Sequence, residues 1–367
     1  MTNNTTLLVN RTDYAKTNIV TQSLPAMEAG EVLLKVSEFS LTANNITYAA
    51  MGDFLKYWEF FPAADGAGII PVWGFAEVVS SECEGVDVGE KFYGYYPMST
   101  YLVVKPTQLN PTSFIDGAEH RQSLSVIYNQ YIRCSNDPIY KPETEALQML
   151  LRPLFTTSFL LDDFFADGDF FGSEQVILTS ASSKTALGMA FLLHHNRKGR
   201  AQNYDIIGLT SESNKAFVEG LGCYDTVVSY EELSGLDSSK KTSVVDFAGN
   251  GQVLGQIHQH FSSNLQYSCM VGASHWDQRA GMPAKLEGPE PIMFFAPSQA
   301  EKRIKEWGGV AFQQKIAEVW TVFTGFVDGW MDVERHYGAE ATDEVYQQVL
   351  SGSFNPKAGY IVSLWQK

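Results

Sequence analysis

From Glu174 to Val271, short apolar runs of strand length alternate with longer runs of helix length. This alternation restricts the possible folds more than any other feature of the chain. Val176-Ile177-Leu178 predicts a buried strand, a turn of small residues follows, and a helix opens at Lys184-Thr185-Ala186. Tyr204–Leu209 then reads as a strand and Ser211–Leu221 as a helix. Thr226–Val228 and Ser243–Phe247 read as strands, Gln252–Phe261 as a helix, and Tyr267–Val271 as a strand ending at Gly272. Parallel strands need a crossover and helices supply it, so the series predicts an α/β fold with a doubly wound parallel sheet.

The first strand-to-helix turn carries the chemistry. A helix that opens directly after a strand presents unpaired N–H groups and the positive end of its dipole, which together favour an anion. The usual dinucleotide turn is G-x-G-x-x-G; here those positions hold Ser180, Ser182 or Ser183, and Ala186. On one reading Ser180, Ser182, Ser183, Lys184 and Thr185 cradle a pyrophosphate, with hydroxyls beside the backbone donors. On the other, small residues are simply what a strand needs where it turns into a helix. At the end of the next strand the chain reads Thr210-Ser211-Glu212-Ser213-Asn214-Lys215. NAD sites place an acid there for the ribose hydroxyls, whereas hydroxyls and an ammonium suit a 2′-phosphate. Thr210, Ser211 and Lys215 therefore favour NADP(H). Glu212 opposes this if it turns inward, and Ser211 and Ser213 also suit an ordinary helix cap.

The first third of the chain has a different texture. Thr6–Val9, Glu31–Val36, Ile69–Val72, Gly74–Val79, Lys91–Tyr95 and Thr100–Val104 are short and closely spaced, as in a small barrel or sandwich. Asn110–Pro142 reads as an irregular insertion, and Glu145–Phe165 as a long helix containing Pro153. Helices over Phe312–Val327 and Thr342–Leu350 and a last strand at Ala358–Leu364 close the chain. Its 367 residues exceed the roughly 250–300 at which one core stops growing, so two domains are expected.

Net charge of −16 disfavours a nucleic-acid or anionic-membrane surface, and no apolar run reaches the length of a membrane span. Four cysteines without C-x-x-C spacing suit a reducing cytoplasm and argue against a zinc ribbon or a disulfide scaffold. The histidines have no metal-ligand spacing, and no G-x-S-x-G, P-loop or H-E-x-x-H is present. Ser40–Tyr48 reads as a polar turn after a barrel strand, where Asn45 and Tyr48 are placed to donate hydrogen bonds to a carbonyl. His275 is a candidate acid or substrate contact, though such a histidine is more often a satisfied polar residue.

Taken in order, these segments resemble the medium-chain dehydrogenase/reductase superfamily, in its zinc-free branch of quinone and enoyl reductases. Glu31–Val36 followed by Ser40–Tyr48 is similar to the family's first barrel strand and N-P-x-D loop. Gly74–Val79 with Gly85–Gly94 is similar to its G-x-x-V-G-D-x-V-x-G stretch, and Leu178–Gly188, Leu209–Lys215, Leu221–Tyr230 and Asp246–Gly249 follow its cofactor domain. The resemblance implies a Rossmann doubly wound sheet over 144–309 and a GroES-like β-barrel domain from 1–143 and 310–367. It implies hydride transfer from NADP(H) to a carbonyl or α,β-unsaturated carbonyl of a small apolar or aromatic substrate, with the active site in the cleft. Ser180–Ala186 would hold the pyrophosphate, Thr210, Ser211 and Lys215 the adenosine phosphate, Gly272 would lie near the nicotinamide, and Asn45 takes the loop's Asp position. No catalytic zinc is expected, since Phe75 stands in place of the family's His and no Cys follows Val36. A cytoplasmic protein, and a homodimer, accord with the superfamily. The turn without glycines, Asn45 in place of an acid and the aromatic 110–142 stretch depart from its pattern. Two other functions stay open: cofactor-free lyase or hydrolase chemistry on the same fold, and a nucleotide-binding protein without catalysis.

Overall fold

A computed structural model describes residues 2–271, 286–352 and 355–367. The chain divides into two compact units, Met1–Arg152 with Met331–Lys367, and Pro153–Trp330. The boundaries fall at 152/153 and 330/331, where the sequence reading placed them at 143/144 and 309/310.

The first unit begins with β1 (Asn3–Asn10), β2 (Thr17–Ser23), β3 (Val32–Leu41), α1 (Ala43–Ala50), β4 (Ala67–Gly68) and β5 (Pro71–Ser81). β6 (Lys91–Pro97), β7 (Tyr101–Val104), β8 (Pro106–Thr107), β9 (Ser113–Asp116) and β10 (Gln130–Arg133) follow. One sheet of three strands has the order β2-β1-β4. A second sheet of nine gathers the others with two strands from the chain's end, here β17 (Asp332–Tyr337) and β18 (Ala358–Ser363), numbered after six strands of the second unit. Its order is β17-β18-β3-β5-β6-β10-β9-β8, with β7 pairing on β3. β18 runs antiparallel to β3 with Ile361 opposite Ser40, so the chain's last strand is seated on the strand that leads into α1.

Asn110–Pro142 is not irregular as the sequence suggested. β9 and β10 pair with each other, and Ile132 of β10 lies opposite Tyr93 of β6, so the insertion widens the sheet. What fixes it is nonlocal. Arg121, fully buried, pairs with Asp116 at 3.0 Å and donates to Phe60 O at 3.0 Å and Tyr131 Oη at 2.9 Å, its guanidinium 4.4 Å from the Phe61 ring centre.

The second unit holds most of α2 (Glu145–Asp167), then β11 (Gln175–Thr179), α3 (Lys184–Asn196), β12 (Asp205–Thr210), α4 (Glu212–Gly220) and β13 (Thr226–Ser229). It continues through β14 (Thr242–Asp246), α5 (Gly251–Phe261), β15 (Leu265–Met270), β16 (Ile292–Met293), α6 (Ala296–Trp307) and α7 (Gly309–Val327). α8 (Ala339–Leu350) belongs to the first unit. The strand order β13-β12-β11-β14-β15-β16 is all parallel and reverses direction between β11 and β14. Every residue of β11 and β14 is buried, as both faces of a central parallel strand must be. Ligands of open α/β sheets bind beyond the strands' carboxyl ends at such a reversal.

Candidate functional site

At that reversal Thr179, fully buried, ties two strand ends together. Its hydroxyl donates to Asp246 Oδ1 at 2.6 Å and accepts the N–H groups of Phe247 at 2.9 Å and Ala248 at 3.2 Å. Burial raises the Asp246 carboxyl above its ordinary range, against the pull of these hydrogen bonds. The next residue, Ser180, has φ +49°, a left-handed conformation that usually selects glycine.

Three side chains from neighbouring elements clamp the turn. Tyr224 donates its hydroxyl to Ala181 O at 2.9 Å, and Asn214 of α4 donates Nδ2 to Ser182 Oγ at 3.1 Å. The hydroxyl of Tyr230, just past β13, lies beside the main chain and side chain of Ser180. Ser183 is the N-cap of α3, its Oγ accepting from Ala186 N at 3.4 Å. Ser182 and Ser183 thus each accept a bond from the protein, and each retains its own hydroxyl proton to donate. Lys184 opens the helix. It retains some solvent-accessible surface, yet the surrounding protein pushes its ammonium down to about 8 by desolvation. Thr185 is half-buried beside it. Such a set, on a helix of 13 residues, brings hydroxyls, an ammonium and the positive end of a helix dipole together, and each of these favours an anion.

The second group of expected residues lies one strand over. Thr210 ends β12 and is buried, while Ser211 precedes α4 with its hydroxyl 3.1 Å from that of Ser213. Lys215 does not stand alone: its Nζ lies 2.6 Å from Glu232 Oε2. Glu212 is exposed. Gly272 and His275 lie outside the described residues. Sequence reasoning missed the parts played by Asn214, Tyr224, Tyr230 and Glu232; of these, the S-x-x-E capping pattern of Ser229 and Glu232 was the legible signal.

In the first unit, Ser40–Tyr48 proves not to be a turn. Its second half is α1, capped by Thr42, whose backbone N–H donates to Asn45 Oδ1 at 2.8 Å. Asn45 is 3% exposed and donates Nδ2 to Pro71 O at 3.0 Å. Its Oδ1 and one N–H of its Nδ2 are engaged, so Asn45 fixes the start of α1. One turn on, Tyr48 is buried and accepts the indole N–H of Trp73 at 3.2 Å. That bond leaves the phenol proton to be donated; the Tyr95 and Asn44 side chains lie beside the same hydroxyl.

Tyr48 sits in a dense nest of aromatic rings. Its ring centre is 4.7 Å from Tyr57 and 5.5 Å from Tyr95, and Tyr128, brought by the insertion, is 4.8 Å from Tyr95. Burial raises the Tyr48, Tyr57 and Tyr95 hydroxyls above the ordinary phenol range, so each stays protonated at working pH. Trp73 and Tyr128 keep part of their surface open to solvent. Phe75, against the Tyr93 ring at 5.3 Å, occupies its position as a packed core residue.

Among curated proteins, none matches the chain in sequence. Solved structures match it along its whole length. CurA from Vibrio vulnificus aligns at TM-score 0.59 and 13% identity, over 100% of this chain and 99% of its own. A putative NADPH:quinone reductase from Bacillus thuringiensis aligns at 0.58 and 10%, over 99% of each chain. Etr1p, solved with NADP and crotonyl-CoA, aligns at 0.58 and 10%, over 99% of this chain and 100% of its own. At such identities the likeness is one of fold: a Rossmann doubly wound parallel sheet with a GroES-like β-barrel domain. A family model described as "Protein of unknown function (DUF2855)" matches residues 39–355, and the chain belongs to that family.

Proposed function

We propose that this protein is a zinc-independent NADPH-dependent reductase acting on a carbonyl or α,β-unsaturated carbonyl of quinone, enone or enoyl type. One observation carries the reading. The Ser180–Thr185 turn joins hydroxyls with protons to give, the start of α3 and the Lys184 ammonium, at the reversal point of the sheet. The N-terminal end of α3, the two serine hydroxyls and Lys184 match what a pyrophosphate needs. In support, CurA has been solved with NADPH and Etr1p with NADP and crotonyl-CoA.

In this reading Ser180, Ser182, Ser183, Lys184 and Thr185 hold the pyrophosphate, while Thr210, Ser211 and Lys215 receive the adenosine 2′-phosphate. Gly272 is proposed to lie near the nicotinamide. When bound, the cofactor supplies a hydride. Tyr48 donates its phenol proton toward the substrate oxygen, where negative charge builds as a carbonyl becomes an alkoxide or an enone an enolate. Trp73 fixes that hydroxyl through its N–H, and Asn45 positions Tyr48 by capping α1. Trp73 and Tyr128 suit a flat, apolar or aromatic substrate. Phe75 in place of a ligand, with no Cys after Val36, supports chemistry without zinc. A cytoplasmic protein, as monomer or homodimer, is the proposed setting.

Quenching of tryptophan fluorescence by NADPH and NADH, followed by turnover of a quinone and enone panel, tests the proposal. Ser182→Ala with Ser183→Ala should weaken both nucleotides about 10-fold or more, two charge-assisted hydrogen bonds being lost. Binding of neither nucleotide would leave cofactor-free chemistry on this fold. Binding without turnover of any panel member would leave a nucleotide-binding protein.

A further inference from the structure

Lys215 is held by a carboxylate that is itself held. Glu232 Oε2 lies 2.6 Å from Lys215 Nζ and also accepts the N–H of Ser229 at 2.9 Å, where β13 ends. The cap ties the acid to the main chain, so it is not free to swing away. Glu212 and Glu219 add negative charge around the same ammonium. The lysine that would receive a 2′-phosphate is therefore already neutralised.

We infer that Glu232 competes with the 2′-phosphate for Lys215 and thereby sets how far the protein prefers NADPH over NADH; the inference rests on the NADP(H) reading above. A phosphate reaching Lys215 must share or displace the carboxylate, and two anions on one ammonium repel. A ribose carrying a free 2′-hydroxyl meets no repulsion and can donate to Glu232. NAD sites place such an acid at the end of the second strand. Here Thr210 and Ser211 leave that place uncharged, and the acid arrives instead from the end of the third strand. Glu232 is thus a specificity-determining residue that moderates NADPH preference.

Dissociation constants for NADPH and NADH in Glu232→Gln, Glu231→Gln, Lys215→Met and the unmodified protein test this. A glutamine keeps a carbonyl oxygen to accept from Ser229, so the cap survives. Glu232→Gln should tighten NADPH about fivefold, the order of one exposed ion pair, and leave NADH unchanged or weaker. Glu231→Gln, which removes the same charge one residue away, should change neither. If Glu232→Gln leaves NADPH affinity unchanged or weakened while Lys215→Met weakens it, Glu232 orients the lysine and the inference fails, with the NADP(H) reading intact. If neither the unmodified protein nor Glu232→Gln binds NADPH, or Lys215→Met has no effect on it, the reading itself fails and takes the inference with it.

Discussion

Lys184 makes the proposed pyrophosphate site titratable in a range where few proteins titrate. Burial pushes its ammonium down to about 8, against about 10.4 for a lysine in water. If only the ammonium form holds the pyrophosphate, the apparent Kd scales as one plus ten to the power of pH minus pKa. Affinity is then flat below pH 7 and falls about tenfold by pH 9. The fall levels off where the charge-assisted bond is fully lost, about 10- to 100-fold in all. NADH should show the same profile as NADPH. The pyrophosphate is common to both, and the 2′-phosphate, whose second pKa is about 6, is almost fully ionised above about pH 7, where the fall begins. Calorimetry in buffers of differing ionisation enthalpy should find about half a proton taken up per nucleotide bound at pH 8.

The sign for stability is independent of ligand. Between about 8 and 10.4 the unfolded chain binds the Lys184 proton and the folded chain does not, so stability rises with pH through that window. Lys184→Met should abolish both the binding profile and this slope. A Kd that stays level from pH 6 to 9, or an equal decline in Lys184→Met, would refute the assignment of Lys184 to the anion.

Three other outcomes are expected. Tyr48→Phe keeps the ring in its nest but removes the donor. It should lower kcat about 100-fold or more with NADPH affinity unchanged; normal turnover would remove Tyr48 from the mechanism. Arg121→Met leaves the buried Asp116 without its cation and takes one partner from Phe60 O, at a cost of about 3–5 kcal/mol in chemical denaturation. Adding Asp116→Asn should recover part of that loss, and a cost under about 1 kcal/mol would show that the insertion is held by other means. Gly208→Ala would set a methyl 2.9 Å from the Tyr224 ring and 3.2 Å from Ala181 Cβ, so nucleotide affinity should fall with the displaced turn; unchanged affinity would show that the clamp is dispensable.

The parallel sheet was legible because its central strands are buried on both faces, and runs such as Val176-Ile177-Leu178 have no other use. The turn and both basic positions were legible for a similar reason, since their order along the sheet is their order in sequence. β9 and β10 were not. They are strands of four residues among turn formers, and their stability comes from Arg121 reaching Asp116, Phe60 and Tyr131, which no local pattern reports. α1 was hidden because its cap pairs Thr42 with Asn45, where the usual signature has Glu or Gln. The cap bond that hid the helix takes the carboxamide oxygen of Asn45, and a separate bond to Pro71 O takes one of its N–H groups.

The glycines missing from the proposed phosphate turn have not taken their functions with them. A dinucleotide turn needs glycine for a left-handed residue and for close approach of neighbouring elements. Ser180 accepts the left-handed conformation at a cost of about 1–2 kcal/mol. The bond from Tyr224 to Ala181 O, worth about 1 kcal/mol, offsets much of it. Close approach is served from elsewhere. Gly208, on the adjacent strand, makes room for Ala181 and Tyr224, and Gly188, one turn into α3, lets Ser158 of α2 come within 2.7 Å of where a Cβ would stand. Ser158 uses that nearness to donate to Thr185 O at 2.8 Å, which pins the helix start from behind. Glycine has thus moved from the turn to the surfaces that meet it, and the vacated positions carry hydroxyls. A site built this way trades the bare backbone approach of a glycine turn for directed O–H donors, and it holds its shape only while its clamps do.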